Sequence, residues 1–109
     1  MAYESHTSQV MAALADPTRR AIVEQIGRTP APVGRIAREF PISRPAISQH
    51  LKVLSDAGIV TATADGTRRI YRLEPSAIAA LRDWCDQMWD AALSNFEAEA
   101  RRIAERDQS

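Results

Sequence analysis

The chain has 109 residues, 45% of them hydrophobic, a length that suits one cooperative domain but not two of ordinary size. It contains a single cysteine, Cys85, so no disulfide within the chain can stabilise the fold, which suits a reducing compartment. The sequence has no apolar run of about 18 residues and no basic, then apolar, N-terminal segment. It therefore predicts a cytoplasmic protein without a membrane span or a signal peptide.

The net charge is zero, but the charges are unevenly distributed along the chain. Residues 17–73 hold ten Lys or Arg and four Asp or Glu, whereas residues 1–16 hold two acidic residues and residues 74–109 hold eight acidic and four basic ones. Phosphate binding depends on the charge within a Debye length of about 8 Å rather than on the sum over the chain. The basic middle therefore indicates either a solvated basic surface or an anionic partner such as nucleic acid.

Hydrophobic periodicity and helix-capping residues predict three helices between residues 10 and 40. Asp16-Pro17 places an N-cap residue before a proline at the first position of the second helix, and Gly27, followed by Pro30 and Pro32, is expected to end it. The apolar positions are Val10, Met11 and Leu14 in the first helix, Ile22, Val23 and Ile26 in the second, and Val33, Ile36, Ala37 and Phe40 in the short third.

A fourth helix is predicted after Ser43, which is a favourable N-cap residue. Its apolar residues Ile47, Leu51 and Leu54 follow the i, i+4, i+7 spacing of one buried face, and the helix is expected to end at Gly58. The polar side chains at its start and on its other face are of types that bind bases or phosphates, and they are Ser43, Arg44, Ser48, Gln49, His50 and Lys52. Among these, Arg44 is suited to guanine and Gln49 to adenine, whereas His50 fits either packing or a contact with the DNA backbone.

Two runs rich in β-branched and aromatic residues, 59–64 and 67–73, flank the hairpin dipeptide Asp65-Gly66 and predict a β-ribbon. Arg68 and Arg69 lie beside its tip, where they can reach the flanking DNA backbone or minor groove. A short helix, a tight turn, a polar-faced helix and a ribbon follow one another in the order of a winged helix-turn-helix. The sequence thus predicts a protein that binds double-stranded DNA.

A last helix is predicted from Pro75 to about Arg106, with a wide apolar stripe. One small domain cannot cover this stripe, so we expect an obligate homodimer whose twofold axis matches an inverted-repeat operator. The expected interface residues are Val10, Met11 and Leu14 of the first helix and Ile78, Leu81, Trp84, Cys85, Met88, Trp89, Ala92 and Phe96 of the last. Two questions stay open: whether the aromatic residues form a dimer core or a pocket for an apolar effector, and whether Cys85 is a buried, inert thiol or a redox switch.

Three segments of the chain resemble one family of regulators: LADPTRRAIVEQI at 14–26, SRPAISQHLKVLSDAGIV at 43–60 and DGTRRIYRL at 65–73. Over residues 14–73 the sequence resembles the ArsR/SmtB-type regulators. The resemblance implies a mainly α-helical winged domain of order α-α-α-α-β-β-α, dimerised through its first and last helices. It also implies an operator-binding repressor. The whole of 1–109 is then one domain, with a core at about 14–73 and a dimerisation helix at about 75–106.

Many ArsR/SmtB-type regulators release DNA on binding a metal, but this sequence departs from their ligand motifs. The third helix has neither Cys nor His, and the last helix has Asp83, Asp86 and Asp90 but no His. We therefore expect no metal cofactor, and a small-molecule effector of unknown identity is a further candidate partner. A metal- or redox-responsive member of the family and a winged helix that binds proteins are the alternatives. An enzyme is disfavoured because the chain shows no clustered acid, base or nucleophile and no phosphate-binding loop.

Overall fold

The computed structural model describes residues 5–108. Within this range the elements are α1 (His6–Ala13), α2 (Pro17–Arg28), α3 (Val33–Ala37), α4 (Arg44–Asp56), β1 (Val60–Asp65), β2 (Arg68–Leu73) and α5 (Pro75–Asp107). This order confirms the predicted fold class, a mainly helical chain with one small β-ribbon.

Side-chain caps determine where α2 and α4 begin. A carboxylate oxygen of Asp16 accepts a hydrogen bond from the backbone N–H of Arg19 at 2.9 Å, and the hydroxyl of Ser43 accepts one from the backbone N–H of Ala46 at 3.3 Å. Each bond satisfies one of the donors that a helix leaves unpaired in its first turn. Both predicted N-caps are confirmed.

Two predicted helix ends differ from the structure. Helix α2 continues through Gly27 to Arg28, and α3 ends at Ala37 instead of reaching Phe40. A Cβ at Gly27 would lie 3.0 Å from Cδ1 of Leu73, so this glycine permits close packing of α2 against β2 rather than ending the helix. The residues after α3 form a turn that leads to the start of α4.

A glycine at positive φ ends α4 and directs the chain into the ribbon. Gly58 has φ +78°, its N–H donates to the carbonyl of Ser55 at 3.0 Å, and the N–H of Ile59 donates to the carbonyl of Leu54 at 2.9 Å. This is a Schellman motif, and its hydrophobic pair, Leu54 and Ile59, is fully buried. The predicted end of the fourth helix is confirmed.

The two strands pair antiparallel from Val60 opposite Leu73 to Asp65 opposite Arg68. The turn therefore consists of Gly66 and Thr67, one residue later than the predicted dipeptide, with Gly66 at φ +65°. A glycine at the first turn position suits the right-handed twist of a two-residue hairpin.

The ribbon is also tied to the linker between α2 and α3, which the sequence did not predict. Ala31 and Tyr71 exchange two backbone hydrogen bonds, of 3.3 and 2.9 Å. The flanking residues Pro30 and Pro32 have no N–H, but in an antiparallel pair these positions face away from the partner strand, so the prolines do not interrupt the bridge. This bridge holds the base of the ribbon beside the start of α3.

The core receives side chains from every helix and from both strands. Its buried residues are Val10, Ala13, Ile22, Val23, Ile26, Ala31, Ile36, Ile47, Leu51, Leu54, Ile59, Val60, Ile70 and Ala77. The three predicted inward positions of α4 are all among them, so the opposite face of α4 is held outward by packing.

Helix α5 packs against α1 at its start and then leaves the domain. Ala77 is buried and Leu81 packs against the core, whereas every residue from Arg82 to Gln108 is exposed. At 1.5 Å per residue this exposed part is about 40 Å long, and the longest dimension of the protein is 74 Å. Among the helices of residues 5–108, none combines the length and the apolarity needed to cross a membrane.

Candidate nucleic-acid interface

The outward face of α4 presents polar side chains to solvent. Ser48 and Gln49 are exposed there, since the neighbouring apolar residues of α4 point into the core. Lys52 is exposed as well, but its ammonium lies 3.1 Å from a carboxylate oxygen of Asp56, one turn further on. Ion pairs this exposed contribute little stability, so Lys52 can exchange Asp56 for a phosphate at small cost.

Arg44 lies differently from the other predicted DNA-binding residues of α4. Its guanidinium approaches α3 beside Gly34, where an added Cβ would lie 3.7 Å from Nη1 of Arg44. The side chain is therefore directed toward α3 and not along the outward face of α4 that carries Ser48 and Gln49.

Between α3, the start of α4 and the tip of the ribbon lies an open groove of about 800 Å³. We call it the arginine groove. Its lining residues are Pro30, Pro32, Val33, Gly34, Arg35, Arg38, Arg44, Thr67, Arg68, Arg69, Ile70 and Tyr71. The groove thus brings the predicted Arg44, Arg68 and Arg69 together with two arginines of the α3 segment. All these lining residues fall within the described chain, and they include five arginines and no carboxylate.

The sequence did not lead us to expect Arg35 and Arg38 in a DNA-binding surface, because only the apolar residues and the missing metal ligands of α3 entered the prediction. One signal was available, because the two arginines lie on either side of the buried Ile36, which places them on the exposed side of α3 and of the residue that follows it. The sequence could not show that this side of α3 faces the tip of the ribbon.

His50 is half-buried, and it is near enough to the N-cap of α2 to act electrostatically on Asp16. The pKa of Asp16 is lowered from its ordinary value mainly because the backbone N–H of Arg19 donates to its carboxylate. The charges of Arg19 and His50 lower it further, against a partial burial that acts in the opposite direction. His50 is therefore close enough to interact with the α2 cap, and its role in contacting DNA stays a prediction.

The predicted interface residues of α5 are mostly exposed. Those exposed to solvent are Ile78, Trp84, Cys85, Met88, Trp89, Ala92 and Phe96. Leu81, together with Met11 and Leu14 of α1, is half-buried. The prediction was wrong for Val10, whose side chain is 0% exposed because it packs inside the core of its own chain. Cys85 is exposed in the single chain, so an inert, buried thiol would require the proposed dimer to cover it.

Among residues 5–108, no group of three or more His, Cys, Asp and Glu side chains is placed to hold a metal ion. Asp83, Asp86 and Asp90 lie on the exposed part of α5. Asp83 is 3.8 Å from the guanidinium of Arg82.

Helix α3, the turn after it, α4 and the ribbon together form a winged helix-turn-helix, the arrangement of a class of DNA-binding proteins. A family model for a helix-turn-helix domain matches residues 14–62. The HTH-type transcriptional regulator Rv2034 of Mycobacterium tuberculosis is 54% identical over 84 residues, which are 77% of this chain and 78% of that protein.

Solved structures show the same fold. A crystal structure of a possible transcriptional regulator for arsenical resistance is 41% identical, with a TM-score of 0.67 over 80% of this chain and 95% of that one. A homodimeric winged helix-turn-helix DNA-binding domain from Mycobacterium bovis is 27% identical, with a TM-score of 0.64 over 78% of this chain and 79% of that one. The chain belongs to the ArsR/SmtB-type family of helix-turn-helix transcriptional regulators, which confirms the resemblance drawn from its motifs.

Proposed function

We propose that this chain is a transcriptional repressor that binds an inverted-repeat operator as a homodimer, in the cytoplasm where bacterial DNA lies. The observation that carries the proposal is the exposed polar face of α4 next to the arginine groove and the ribbon tip. A major groove about 12 Å wide admits such a helix, while basic side chains beside it neutralise phosphates. Repression is what membership of the ArsR/SmtB family implies.

Base reading is proposed for the residues on the outward face of α4. Gln49 can form two hydrogen bonds with adenine, and Ser48, one position before it, can bond to either type of base edge. The predicted contacts of Ser43 and Lys52 with bases or phosphates, and of His50 with the DNA backbone, belong to the same proposal.

The homodimer is proposed from the exposed apolar stripe of α5. Trp89 is 66% and Phe96 is 72% exposed in the single chain, and soluble monomers rarely expose large apolar side chains in one contiguous patch. The homodimeric domain from Mycobacterium bovis has the same fold. A twofold dimer places two α4 helices in major grooves about 34 to 36 Å apart, or a multiple of this distance, and so requires an inverted repeat.

The proposal is tested by selecting bound fragments from genomic DNA and measuring their affinity by fluorescence anisotropy at several salt concentrations. We expect binding that weakens steeply with salt, with a slope of about −0.9 in log K against log salt for each neutralised phosphate. Gln49→Ala should reduce discrimination at one base position by about 1 to 3 kcal/mol. Absence of binding to every fragment, or binding insensitive to salt, would contradict the proposal.

A further inference from the structure

We infer that the arginine groove seats one strand of the DNA sugar-phosphate backbone, and that Arg35, Arg38 and Arg44 hold phosphates there rather than read bases. This inference rests on the proposed DNA binding. It divides the interface into a phosphate-holding part, in the groove, and a base-reading part, on the outward face of α4.

The first observation is the concentration of cations in the arginine groove. Five arginines, in α3, directly after it, in α4 and in β2, line a space of about 800 Å³. Several cationic side chains around one open space raise the local positive potential, which attracts a polyanion. Guanidinium groups also match the oxygens of a phosphate with two parallel hydrogen bonds, which favours a phosphodiester over a single carboxylate.

The second observation is that the side chains of these arginines form no hydrogen bond or ion pair with any of the described residues 5–108. Among the side chains of residues 5–108, Arg19 and Arg20 donate to backbone carbonyls, and Arg82 and Arg102 pair with carboxylates. No such bond or ion pair is formed there by the five side chains of the arginine groove, Arg35, Arg38, Arg44, Arg68 and Arg69. Their charges are therefore available to a ligand without breaking an internal contact.

The third observation concerns the direction of Arg44. Its guanidinium rests beside Gly34, where an added Cβ would lie 3.7 to 3.9 Å from its nitrogens and carbon. Because Gly34 has no side chain, the guanidinium of Arg44 can pack directly against the surface of α3. In this position Arg44 joins the groove, so we assign it to phosphate binding instead of the guanine reading predicted from its place on the helix.

The positions of α3, α4 and the ribbon explain why the DNA backbone suits the arginine groove. The bridge between Ala31 and Tyr71 fixes the ribbon beside the start of α3, so the distance between the two walls of the groove is set by the fold. A DNA strand flanking the major groove that receives α4 would pass along this opening. A base edge, in contrast, is reached from the face that carries Ser48 and Gln49.

The test compares Arg35→Ala/Arg38→Ala, Arg44→Ala and Gln49→Ala on a labelled operator duplex and on a scrambled duplex of the same length. Arg101→Ala is the matched control, because Arg101 is an exposed arginine outside the groove on the part of α5 that leaves the domain. We expect the groove variants to weaken binding to both duplexes by the same factor. We also expect each lost phosphate contact to make the slope of log K against log salt shallower by about 0.9. Gln49→Ala should weaken operator binding alone and leave the slope unchanged.

The outcomes separate the two proposals. If the wild-type protein binds no duplex, DNA binding and the groove inference both fail. If it binds with steep salt dependence but the groove variants behave like Arg101→Ala, only the groove inference fails. Loss of operator binding alone in Arg44→Ala would return Arg44 to base reading. Tight calorimetric binding of inorganic pyrophosphate by the DNA-free protein, abolished in Arg35→Ala/Arg38→Ala, would assign the groove to a small phosphorylated ligand instead.

Discussion

At the scale of single residues, Ser43 caps α4 and is also proposed to contact DNA, and mutation can separate these two roles. Its hydroxyl oxygen accepts the bond that caps α4, and its hydroxyl hydrogen remains free to donate to a phosphate at the same end of the helix. A cap needs only an acceptor, whereas a phosphate needs a donor without negative charge. The two tasks therefore respond differently to an acidic replacement.

We expect Ser43→Ala to lower the free energy of unfolding by about 1 kcal/mol, the usual cost of removing a cap. Ser43→Asp should retain the stability because aspartate is an equally good cap, yet weaken DNA binding because its carboxylate faces phosphates. Urea unfolding and fluorescence anisotropy measure the two effects. If Ser43→Asp bound DNA as tightly as the wild type, Ser43 would lie outside the DNA contact.

Asp16 predicts a pH dependence of stability. The pKa of its carboxyl is lowered in the folded protein, mainly by the N–H of Arg19, from an ordinary value of 3.8. A lowered pKa gives stabilisation that is complete above the ordinary value and is lost as the pH falls through the lower, folded-state value. Asp16→Asn keeps an acceptor but removes the titration. The difference in unfolding free energy between wild type and Asp16→Asn should therefore shrink on acidification below about pH 4, and a difference independent of pH would contradict this.

At the scale of elements, the turn from α4 into β1 depends on the backbone of Gly58. Its φ of +78° is unfavourable for other residues, and an added Cβ would lie 3.2 Å from Nε2 of His6. Gly66 has a similar φ of +65°, but an added Cβ there meets no atom within 4 Å. A side chain at Gly66 would therefore meet only backbone strain, whereas one at Gly58 would meet the same strain and also His6 of α1.

We expect Gly66→Ala to lower the free energy of unfolding by about 1 to 2 kcal/mol, because alanine is strained in the left-handed backbone conformation. Gly58→Ala should cost more, because His6 must also move. The combination His6→Ala with Gly58→Ala should recover that excess, and thermal and urea unfolding of the four proteins measure it. If both glycine substitutions lowered the free energy of unfolding equally, the His6 side chain would be able to move away from the new Cβ without loss of stability.

At the scale of the whole molecule, α5 is the element whose apolar face a single chain does not cover. Its apolar side chains from Trp84 to Ile103 are exposed on a helix that extends beyond the domain. The proposed dimer would cover them, and it would couple α5 to DNA binding without any contact between the two, since one α4 helix reads only half of an inverted repeat.

We expect Met88→Glu to shift the protein from dimer to monomer and to lower operator affinity at least about tenfold, because it places an unpaired charge in the interface. Met88 is 46% exposed in the single chain, so the fold of the protomer should survive. Ser94→Glu is the control, as at 3.6 residues per turn Ser94 lies on the side of α5 away from the apolar stripe. Analytical ultracentrifugation and circular dichroism report assembly and folding. A wild-type protein that sediments as a monomer at micromolar concentration while binding its operator tightly would refute the dimer.

The sequence by itself determined the elements and their order. The caps at Asp16 and Ser43 and the end of α4 at Gly58 rest on hydrogen bonds between residues at most five apart, so local residue types suffice to predict them. The inward face of α4 followed from periodicity for the same reason. The family also followed, because its motifs lie within these elements.

Only the tertiary structure decided which surfaces meet. Periodicity placed Val10 and Cys85 on apolar faces, but it could not show that Val10 is covered by its own chain while Cys85 is exposed. The pairing of Ala31 with Tyr71 and the approach of α3 to the ribbon tip join residues about 30 or more positions apart. Such contacts depend on how the core packs, which no local pattern encodes. For that reason Arg35 and Arg38 became part of the candidate DNA interface only when the helices and the ribbon were seen together.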